Sequence, residues 1–292
     1  MQLYGAVEAG GTKFICAVAA HPADDPVDTL VISTTTPSET IAKTVEFFSR
    51  HDLKGLGVAS FGPVDLHPKS PTYGYITATP KVGWANTDLL GPLRQMLNIP
   101  IGFDTDVNGA ALGEWRYGGG QGADSVVYIT VGTGIGGGAV IEGRLLHGLM
   151  HPEMGHLLVR RHPDDNYAGH CPYHQDCLEG MACGPALAAR WGKPAGELLP
   201  EHQAWEFEAH YLAQAISDIM FTLSPQRVIL GGGVMHQQHL FSLIRQKVVA
   251  SLNGYIQESA ITEHIDTVII PPGLGDRSGA VGALVLAQMA AG

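Results

Sequence analysis

The spacing of apolar residues along the chain predicts a mixture of strands and helices. Apolar residues at helical spacing predict a long helix over residues 200–223, which Ser224 and Pro225 end. Short apolar runs bounded by turn residues predict strands at residues 3–7, 14–20, 100–103, 125–131, 139–142 and 227–230. Further helices are predicted at residues 109–116 and 278–290. Strands and helices that follow one another in this way indicate an α/β fold.

The size and charge of the chain limit the classes of protein to which it can belong. With 292 residues, 45% of them hydrophobic, it can bury a large core and is long enough for two domains. A net charge of −11 without a Lys/Arg cluster argues against a nucleic-acid partner. The N-terminus lacks a signal-peptide pattern, and no apolar run approaches membrane-spanning length. We therefore expect a cytoplasmic protein with no membrane partner.

One histidine and a short cysteine–histidine motif together offer a set of four zinc ligands. Fourteen residues separate His156 from Cys171, which opens a Cys-x₂-His-x₂-Cys motif with His174 and Cys177. Two thiolates and two imidazoles suit tetrahedral Zn²⁺ and leave no position for an activated water, so the ion is predicted to be structural. The alternative is a chance set of loop histidines and buried cysteines. The doubled spacing favours the metal.

Cys183 is the competing ligand for this predicted zinc. It could replace His174 and give a set with three cysteines. Five residues separate Cys177 from Cys183, and they resemble the start of a helix that carries Cys183 away from the loop. The chain has four cysteines, and this metal-like spacing fits a reducing compartment better than a disulfide framework.

Two turns rich in glycine and threonine each lie between a pair of predicted strands. The first reads Glu-Ala-Gly-Gly-Thr-Lys at residues 8–13, and the second reads Gly-Thr-Gly-Ile-Gly-Gly-Gly at residues 132–138. Glycine lets consecutive backbone N–H groups converge on a phosphate, and threonine adds a hydroxyl donor. One such turn is most often a plain hairpin, but two of them favour phosphate binding. The candidate ATP-binding residues are Gly10, Gly11, Thr12, Lys13, Gly132, Thr133 and Gly134, with Gly232 and Gly233 at a later strand end where adenine can lie.

Asp106 is the candidate catalytic base. It lies where the predicted strand 100–103 gives way to a helix, and open α/β sheets bind their ligands at the carboxyl ends of strands. A carboxylate there can accept a proton from a bound hydroxyl. The alternative is that Asp104 or Asp106 only caps the helix, and the spacing alone does not separate the two interpretations.

Taken together, these motifs resemble those of the ROK family of bacterial sugar kinases, over essentially the whole chain. The first turn is similar to the family's first phosphate motif, in the Glu-Ala form of the fructokinase branch, and the second turn matches the second phosphate motif. Asp106 aligns with the catalytic base of the family, whereas Thr105 stands where most members have an asparagine. The zinc loop also has the form found in the fructokinase branch.

The resemblance implies a sugar site beside the zinc. Glu153 and His156 belong to a Glu-x-Gly-His motif, and Glu179 stands in place of the last glutamate of the family's zinc loop. The zinc would hold the loop that carries these residues. The implied sugar-binding residues are Ser60, Gly62, Asp106, Glu153, His156 and Glu179.

The resemblance also implies a fold and a reaction. The fold is a two-domain actin/hexokinase-like, ribonuclease H-like α/β fold with a ligand cleft between the domains. The smaller domain would comprise residues 1–108 and 278–292, and the larger one residues 109–277 with the zinc loop. The reaction is phosphorylation of a hexose by ATP with Mg²⁺, with D-fructose as the expected substrate, glucose or mannose as alternatives, and a homodimer as the expected assembly.

A sugar-sensing regulator and a catalytically silent sugar-binding protein are the rival interpretations. Regulators related to the family carry a helix-turn-helix ahead of the kinase-like domains, and this chain is expected to lack one because it begins at its first predicted strand. A silent protein would be expected to lose Asp106 or the phosphate turns, and both are present.

Overall fold

The first part of the chain builds one five-stranded sheet. The computed structural model describes residues 2–292. In chain order its first elements are β1 (Leu3–Ala9), β2 (Lys13–Ala19), β3 (Asp28–Ser33), α1 (Pro37–Phe48), β4 (Leu53–Ser60), β5 (Tyr75–Ile76), β6 (Thr87–Asp88), α2 (Leu90–Leu97) and β7 (Ile101–Thr105). The sheet has the order β3-β2-β1-β4-β7, in which β1 is antiparallel to β2 and parallel to β4. Strands β5 and β6 pair separately.

The rest of the chain builds a second five-stranded sheet. The elements are α3 (Asp106–Tyr117), β8 (Ser125–Val131), β9 (Ile135–Ile141), β10 (Arg144–Leu145), α4 (Leu178–Ala182), α5 (Gly184–Trp191), α6 (Ala204–Leu223), β11 (Arg227–Gly231), α7 (His239–Leu252), α8 (Ser259–Thr262), α9 (Ile265–Val268), β12 (Ile269–Ile270) and α10 (Ser278–Ala291). The order β10-β9-β8-β11-β12 again combines an antiparallel hairpin, β8–β9, with parallel strands. The two sheets therefore share one topology.

Helices α3 and α10 lie in the apolar layer between the two sheets. This layer joins Ala111 of α3 and Ala283 of α10 to Ala59 of β4 and Ile229 of β11. The backbones approach closely, because a Cβ atom added to Gly282 would overlap the carbonyl group of Gly109. Each sheet packs its other face on its own core, one with α1 and α2 and the other with α6 and α7. The start of α3 is thus held between the two halves.

The predicted elements are present, with shifted boundaries. Helix α6 begins at Ala204 rather than at residue 200, because the preceding residues form turns in which the His202 N–H donates to the Leu199 carbonyl group. The glycines at 136–138 were predicted to be turn residues, but they pair with β8 and belong to β9. The predicted domain boundary after residue 108 falls within α3 and stays a prediction. Among the described residues, no helix combines the length and hydrophobicity needed to cross a bilayer.

Candidate active site

Asp106 occupies the first position of α3, directly after β7. The N-cap of this helix is Thr105, whose side chain accepts the Asn108 N–H at 3.1 Å, rather than Asp104 or Asp106. The Asp106 carboxylate accepts a hydrogen bond from the adjacent Val107 N–H at 2.9 Å. Desolvation raises the pKa of Asp106 to about 7, and the charge of Glu153 adds to the increase. A pKa near neutrality suits a proton acceptor.

A buried polar network fixes the chain on both sides of Asp106. Asp104 accepts hydrogen bonds from the Thr105 N–H at 2.8 Å and from Asn108 Nδ2 at 2.7 Å, and its other oxygen lies 2.8 Å from His147 Nε2. Asn108 in turn accepts the N–H of Ala139 in β9 at 3.2 Å. The hydrogen bond to Asp104 raises the pKa of His147. The network ties the end of β7 to the second sheet, and sequence reasoning had assigned no role to Asn108 or His147.

A cavity of about 430 Å³ opens beside this network. Val64 and Thr77, from the segments that follow β4, form one part of its wall, and His147 and Met150, from the segment that follows β10, form another. Ligand pockets in proteins commonly span about 300–1,000 Å³. The cavity therefore has room for a small molecule, but none of the predicted sugar-binding residues is among those that line it.

The first glycine turn joins β1 to β2 and is supported from the end of β3. The Gly10 N–H donates to the Lys13 carbonyl group at 2.9 Å, while the Thr34 hydroxyl donates to the Gly10 carbonyl group at 2.7 Å and its N–H to the Thr12 carbonyl group at 2.9 Å. Gly11 lies at the tip, and the side chains of Thr12 and Lys13 are exposed. The backbone of this turn is thus fixed while its side chains face solvent.

Glu8 places a second perturbed carboxyl group at the base of this turn. Burial raises the pKa of Glu8 to about 7, and the negative charge of Asp106 adds to the increase. Its Oε2 atom is buried and has no hydrogen-bond partner within the protein. A buried carboxylate oxygen without a partner favours a bound cation or water at this position.

The second glycine turn joins β8 to β9 and is supported by the helices that follow the predicted zinc loop. The Gly184 N–H, at the start of α5, donates to the Gly132 carbonyl group at 2.8 Å, and Glu179 of α4 accepts the Ile135 N–H at 2.9 Å. Within the turn, the Gly132 N–H donates to the Gly134 carbonyl group at 2.9 Å. Thr133 is exposed at its tip.

The strand end at Gly232 and Gly233 lies beside this second turn. Gly232 has φ of 90°, and a Cβ atom there would overlap the backbone of Val131, the last residue of β8. Only glycine fits this approach. The two segments predicted to bind ATP in the second half of the chain are therefore neighbours.

Two of the predicted sugar-binding residues, Ser60 and Glu153, lie near Asp106. Ser60, the last residue of β4, pairs in register with Thr105, the residue before Asp106. Partial burial raises the pKa of Glu153 to about 7, with a further contribution from the charge of Glu179. Glu153 in turn raises the pKa of Asp106. The carboxyl group of Glu153 is therefore close enough to those of Asp106 and Glu179 for their charges to interact.

The four predicted zinc ligands come together in one cluster. One ligand atom from each of His156, Cys171, His174 and Cys177 lies within 4.8 Å of the others, and His156 Nδ1 is 3.5 Å from Cys177 Sγ. Two sulfur and two imidazole donors suit Zn²⁺. The cluster leaves out Cys183, which is buried after α4.

The cluster connects the segments that carry the sugar-binding candidates. His156 ends a short 3₁₀ turn that begins one residue after Glu153. Cys177 immediately precedes α4, which carries Glu179, and the Leu178 N–H donates to the Leu157 carbonyl group at 2.9 Å. An ion bound here would therefore hold Glu153 and Glu179 in place relative to each other.

Comparison with known proteins places the chain among sugar kinases. Residues 4–290 match the model of the ROK family. A putative fructokinase from Bacillus subtilis is 51% identical, with 99% of this chain and 96% of that protein aligned. A fructokinase from Pediococcus pentosaceus is 43% identical, with 99% and 98% aligned.

Solved structures agree with this assignment. A ROK family glucokinase from Streptomyces griseus, in complex with glucose and AMPPNP, superposes with a TM-score of 0.77 at 26% identity and 99% coverage of both chains. A ROK hexokinase from Thermus thermophilus gives a TM-score of 0.78 at 24% identity, with 99% of this chain and 98% of that chain covered. The predicted actin/hexokinase-like α/β fold is confirmed. The chain belongs to the ROK family.

Proposed function

We propose that the protein is an ATP-dependent fructokinase that converts D-fructose to fructose 6-phosphate. The observation that carries the reaction is Asp106, a carboxyl group with a pKa raised to about 7 at the junction of the two sheets that bear the glycine turns. The substrate is supported by the fructokinases that are 42–51% identical to this chain. Glucose and mannose are the alternative substrates.

The residues of the site suit in-line transfer of a phosphoryl group. Backbone N–H groups and hydroxyls of the turns at Gly10–Lys13 and Gly132–Gly134 would hold the phosphates of ATP, and Gly232 and Gly233 would lie near its adenine. Ser60, Gly62, Glu153, His156 and Glu179 would orient the sugar. Asp106 accepts the proton of the attacking hydroxyl group as the new O–P bond forms and ADP leaves. Such a transfer depends on positioning and charge neutralisation more than on covalent catalysis, so these residues together with Mg²⁺ would account for the reaction.

Two metal ions fit side chains of the site. Bound Mg²⁺ neutralises phosphate charge in reactions of this class. Glu8, whose buried Oε2 has no partner in the protein, fits a cation beside the first turn. The ligands for Zn²⁺ would be His156, Cys171, His174 and Cys177, a closed set that supports a structural role.

The cellular setting is part of the proposal. We infer that the protein works in the cytoplasm as a homodimer without nucleic-acid or membrane partners, as its resemblance to the family implies. Its four cysteines are unpaired, which is the usual state in a reducing compartment. Sedimentation of the purified protein tests the dimer directly.

A phosphorylation assay against a panel of hexoses tests the activity. We expect kcat/KM to be higher for fructose than for glucose, mannose or N-acetylmannosamine. A higher value for another hexose would overturn the substrate but leave the kinase. No transfer to any hexose, with sugar binding retained, would favour the silent sugar-binding protein.

A further inference from the structure

The segment between β10 and Glu153 contains one deeply buried histidine. Leu149 is 92% exposed and Met150 is 44% exposed, but the next residue, His151, is only 4% exposed. Burying an imidazole costs free energy unless its nitrogen atoms find polar partners. The partners of His151 therefore indicate what this segment holds in place.

One edge of the His151 ring contacts the loop that follows β4. Its Nε2 atom accepts a hydrogen bond from the Val64 N–H at 3.1 Å. Gly62 packs on the same ring, since a Cβ atom added there would lie 3.4 Å from the ring atom Cε1. The loop belongs to the first half of the molecule, whereas His151 follows a strand of the second sheet. A single ring thus joins the two halves beside the cleft.

The other edge of the ring faces a predicted sugar ligand. His151 Nδ1 lies 3.4 Å from Oε1 of Glu153. Because the Val64 N–H can only donate, Nε2 carries no proton and the proton of the neutral ring is on Nδ1. Desolvation lowers the pKa of His151, which favours this neutral form. The ring therefore accepts a hydrogen bond from the loop on one side, and its other nitrogen lies close to the Glu153 carboxylate without a direct hydrogen bond to it.

We infer that His151 is a positioning residue for the sugar: it sets the loop at Gly62 and Val64 and the carboxylate of Glu153 relative to each other. The inference rests on the proposed function, because Gly62 and Glu153 matter for turnover only if this cleft binds a sugar. It assigns His151 to the sugar side of the cleft. Loss of the residue should therefore change the KM for the sugar and leave the KM for ATP unchanged.

Two polar substitutions separate the roles of the two ring nitrogens. In His151→Gln the amide oxygen reaches the place of Nε2 and can still accept the Val64 N–H. In His151→Asn the shorter amide reaches only the place of Nδ1, so the buried N–H loses its partner. Leaving a buried donor unpaired corresponds to about 5–150-fold in an equilibrium constant. We expect the KM for fructose to rise by up to that factor in His151→Asn and by less in His151→Gln, with the KM for ATP and the zinc content near wild type. The unpaired N–H should also lower the melting temperature of His151→Asn by a few degrees.

His67 provides a matched control in the same pair of segments. Its Nε2 is 2.6 Å from the Leu149 carbonyl oxygen, so it also links the loop after β4 to the segment after β10, but from an exposed position. His67→Asn, whose shorter amide cannot reach the Leu149 carbonyl oxygen, should change the KM for fructose by no more than about twofold. A rise equal to that of His151→Asn would show that any link between the segments suffices, and would overturn the inference.

Other outcomes separate this inference from the proposed function. An active wild type in which both His151 variants keep the wild-type KM for fructose would overturn the inference alone, as would equal increases in the KM for fructose and for ATP. If His151→Asn did not fold while His151→Gln behaved like the wild type, the ring would serve stability only, and this would also overturn the inference. If the wild-type protein prefers another hexose, the KM values of the variants are compared for that hexose instead. A wild type with no kinase activity would overturn both proposals.

Discussion

The two glycine turns hold the same position in their sheets but are supported in different ways. Each connects the antiparallel hairpin of its sheet, β1–β2 in the first and β8–β9 in the second. The first is supported by Thr34, which follows the neighbouring strand β3. The second is supported by Glu179 and Gly184, which belong to the helices after the predicted zinc loop. The two turns thus have the same topology but different supports. The first is held from within its own sheet, and the second is held by the helices that follow the predicted zinc loop.

If Glu179 binds the sugar, this difference links sugar binding to the second turn and not to the first. Glu179 is a predicted sugar ligand, yet in the structure it accepts the N–H of Ile135, next to the second turn. Movement of α4 would therefore reach the second turn directly. The first turn has no such contact with α4 among the described residues, and it should respond only to changes in its own sheet.

The largest effect on turnover is expected at Asp106, which lies between the two sheets at the start of α3. Asp106→Asn keeps the size of the side chain but cannot accept the proton, and loss of a positioned base typically lowers kcat by about 10²–10⁴-fold. The KM values for fructose and ATP should change little. Asp164→Asn, at an exposed carboxylate, is the control. Steady-state kinetics that show near wild-type turnover in Asp106→Asn would remove the base assignment.

Loss of the predicted zinc should disturb the second turn and spare the first. Loss of a residue that only hydrogen-bonds to a metal ligand typically weakens metal binding by about 10–100-fold. Because Cys171 is a predicted ligand itself, we expect zinc binding in Cys171→Ser to weaken by at least as much. The KM for fructose should rise with it, and added zinc should not restore it. Cys183→Ser is the matched control and should keep about one zinc per chain. Elemental analysis in which Cys183→Ser loses zinc and Cys171→Ser retains it would contradict the ligand set.

The pH dependence tests the carboxyl groups at the junction. The pKa values of Asp106 and Glu153 are both raised to about 7, so both carboxyl groups gain protons as the pH falls below about 7. A protonated base cannot accept the sugar proton. We expect kcat/KM for fructose to fall about tenfold per pH unit on the acid side if one carboxylate must be ionised, and more steeply if both must be. A profile that stays flat to pH of about 5 would contradict the raised values.

The smallest effect is expected at the first turn. Thr34→Val removes the hydroxyl that donates to the Gly10 carbonyl group, a loss of about 1 kcal/mol and hence about fivefold. We expect this factor in the KM for ATP, with the KM for fructose unchanged. Thr29→Val, at an exposed position on β3, is the control. An equal change in both KM values would mean that the first turn is also coupled to the sugar side.

The sequence was sufficient for features that depend on neighbouring residues. The strand that ends before Asp106 and the ligand set around Cys171–Cys177 are local patterns, and the structure contains both. The glycines at 136–138 were misread because glycine favours turns locally, while pairing with β8 determines their conformation in the folded chain.

The supporting contacts left no such local signal. Thr34 contacts Gly10 across 24 residues, and His151 contacts Val64 across 87. Neither spacing corresponds to a helix or strand period, so periodicity carries no trace of these pairs. His147 and Asn108 contact each other across 39 positions, so their contact also left no periodic signal in the sequence. What the sequence missed is therefore mainly the set of contacts that bring the two halves of the molecule together.

The glycine contacts of the central layer bear on how this enzyme can be recombined with its relatives. A Cβ atom on Gly282 of α10 would overlap Gly109 of α3, and one on Gly57 of β4 would overlap Ala283 of α10. The halves thus meet through main-chain atoms that tolerate no added carbon. A chimaera that takes its second sheet from another kinase must therefore take α3, α10 and the β4 residues that face them from one parent. A single alanine at one of these contacts would prevent the two parental halves from packing together.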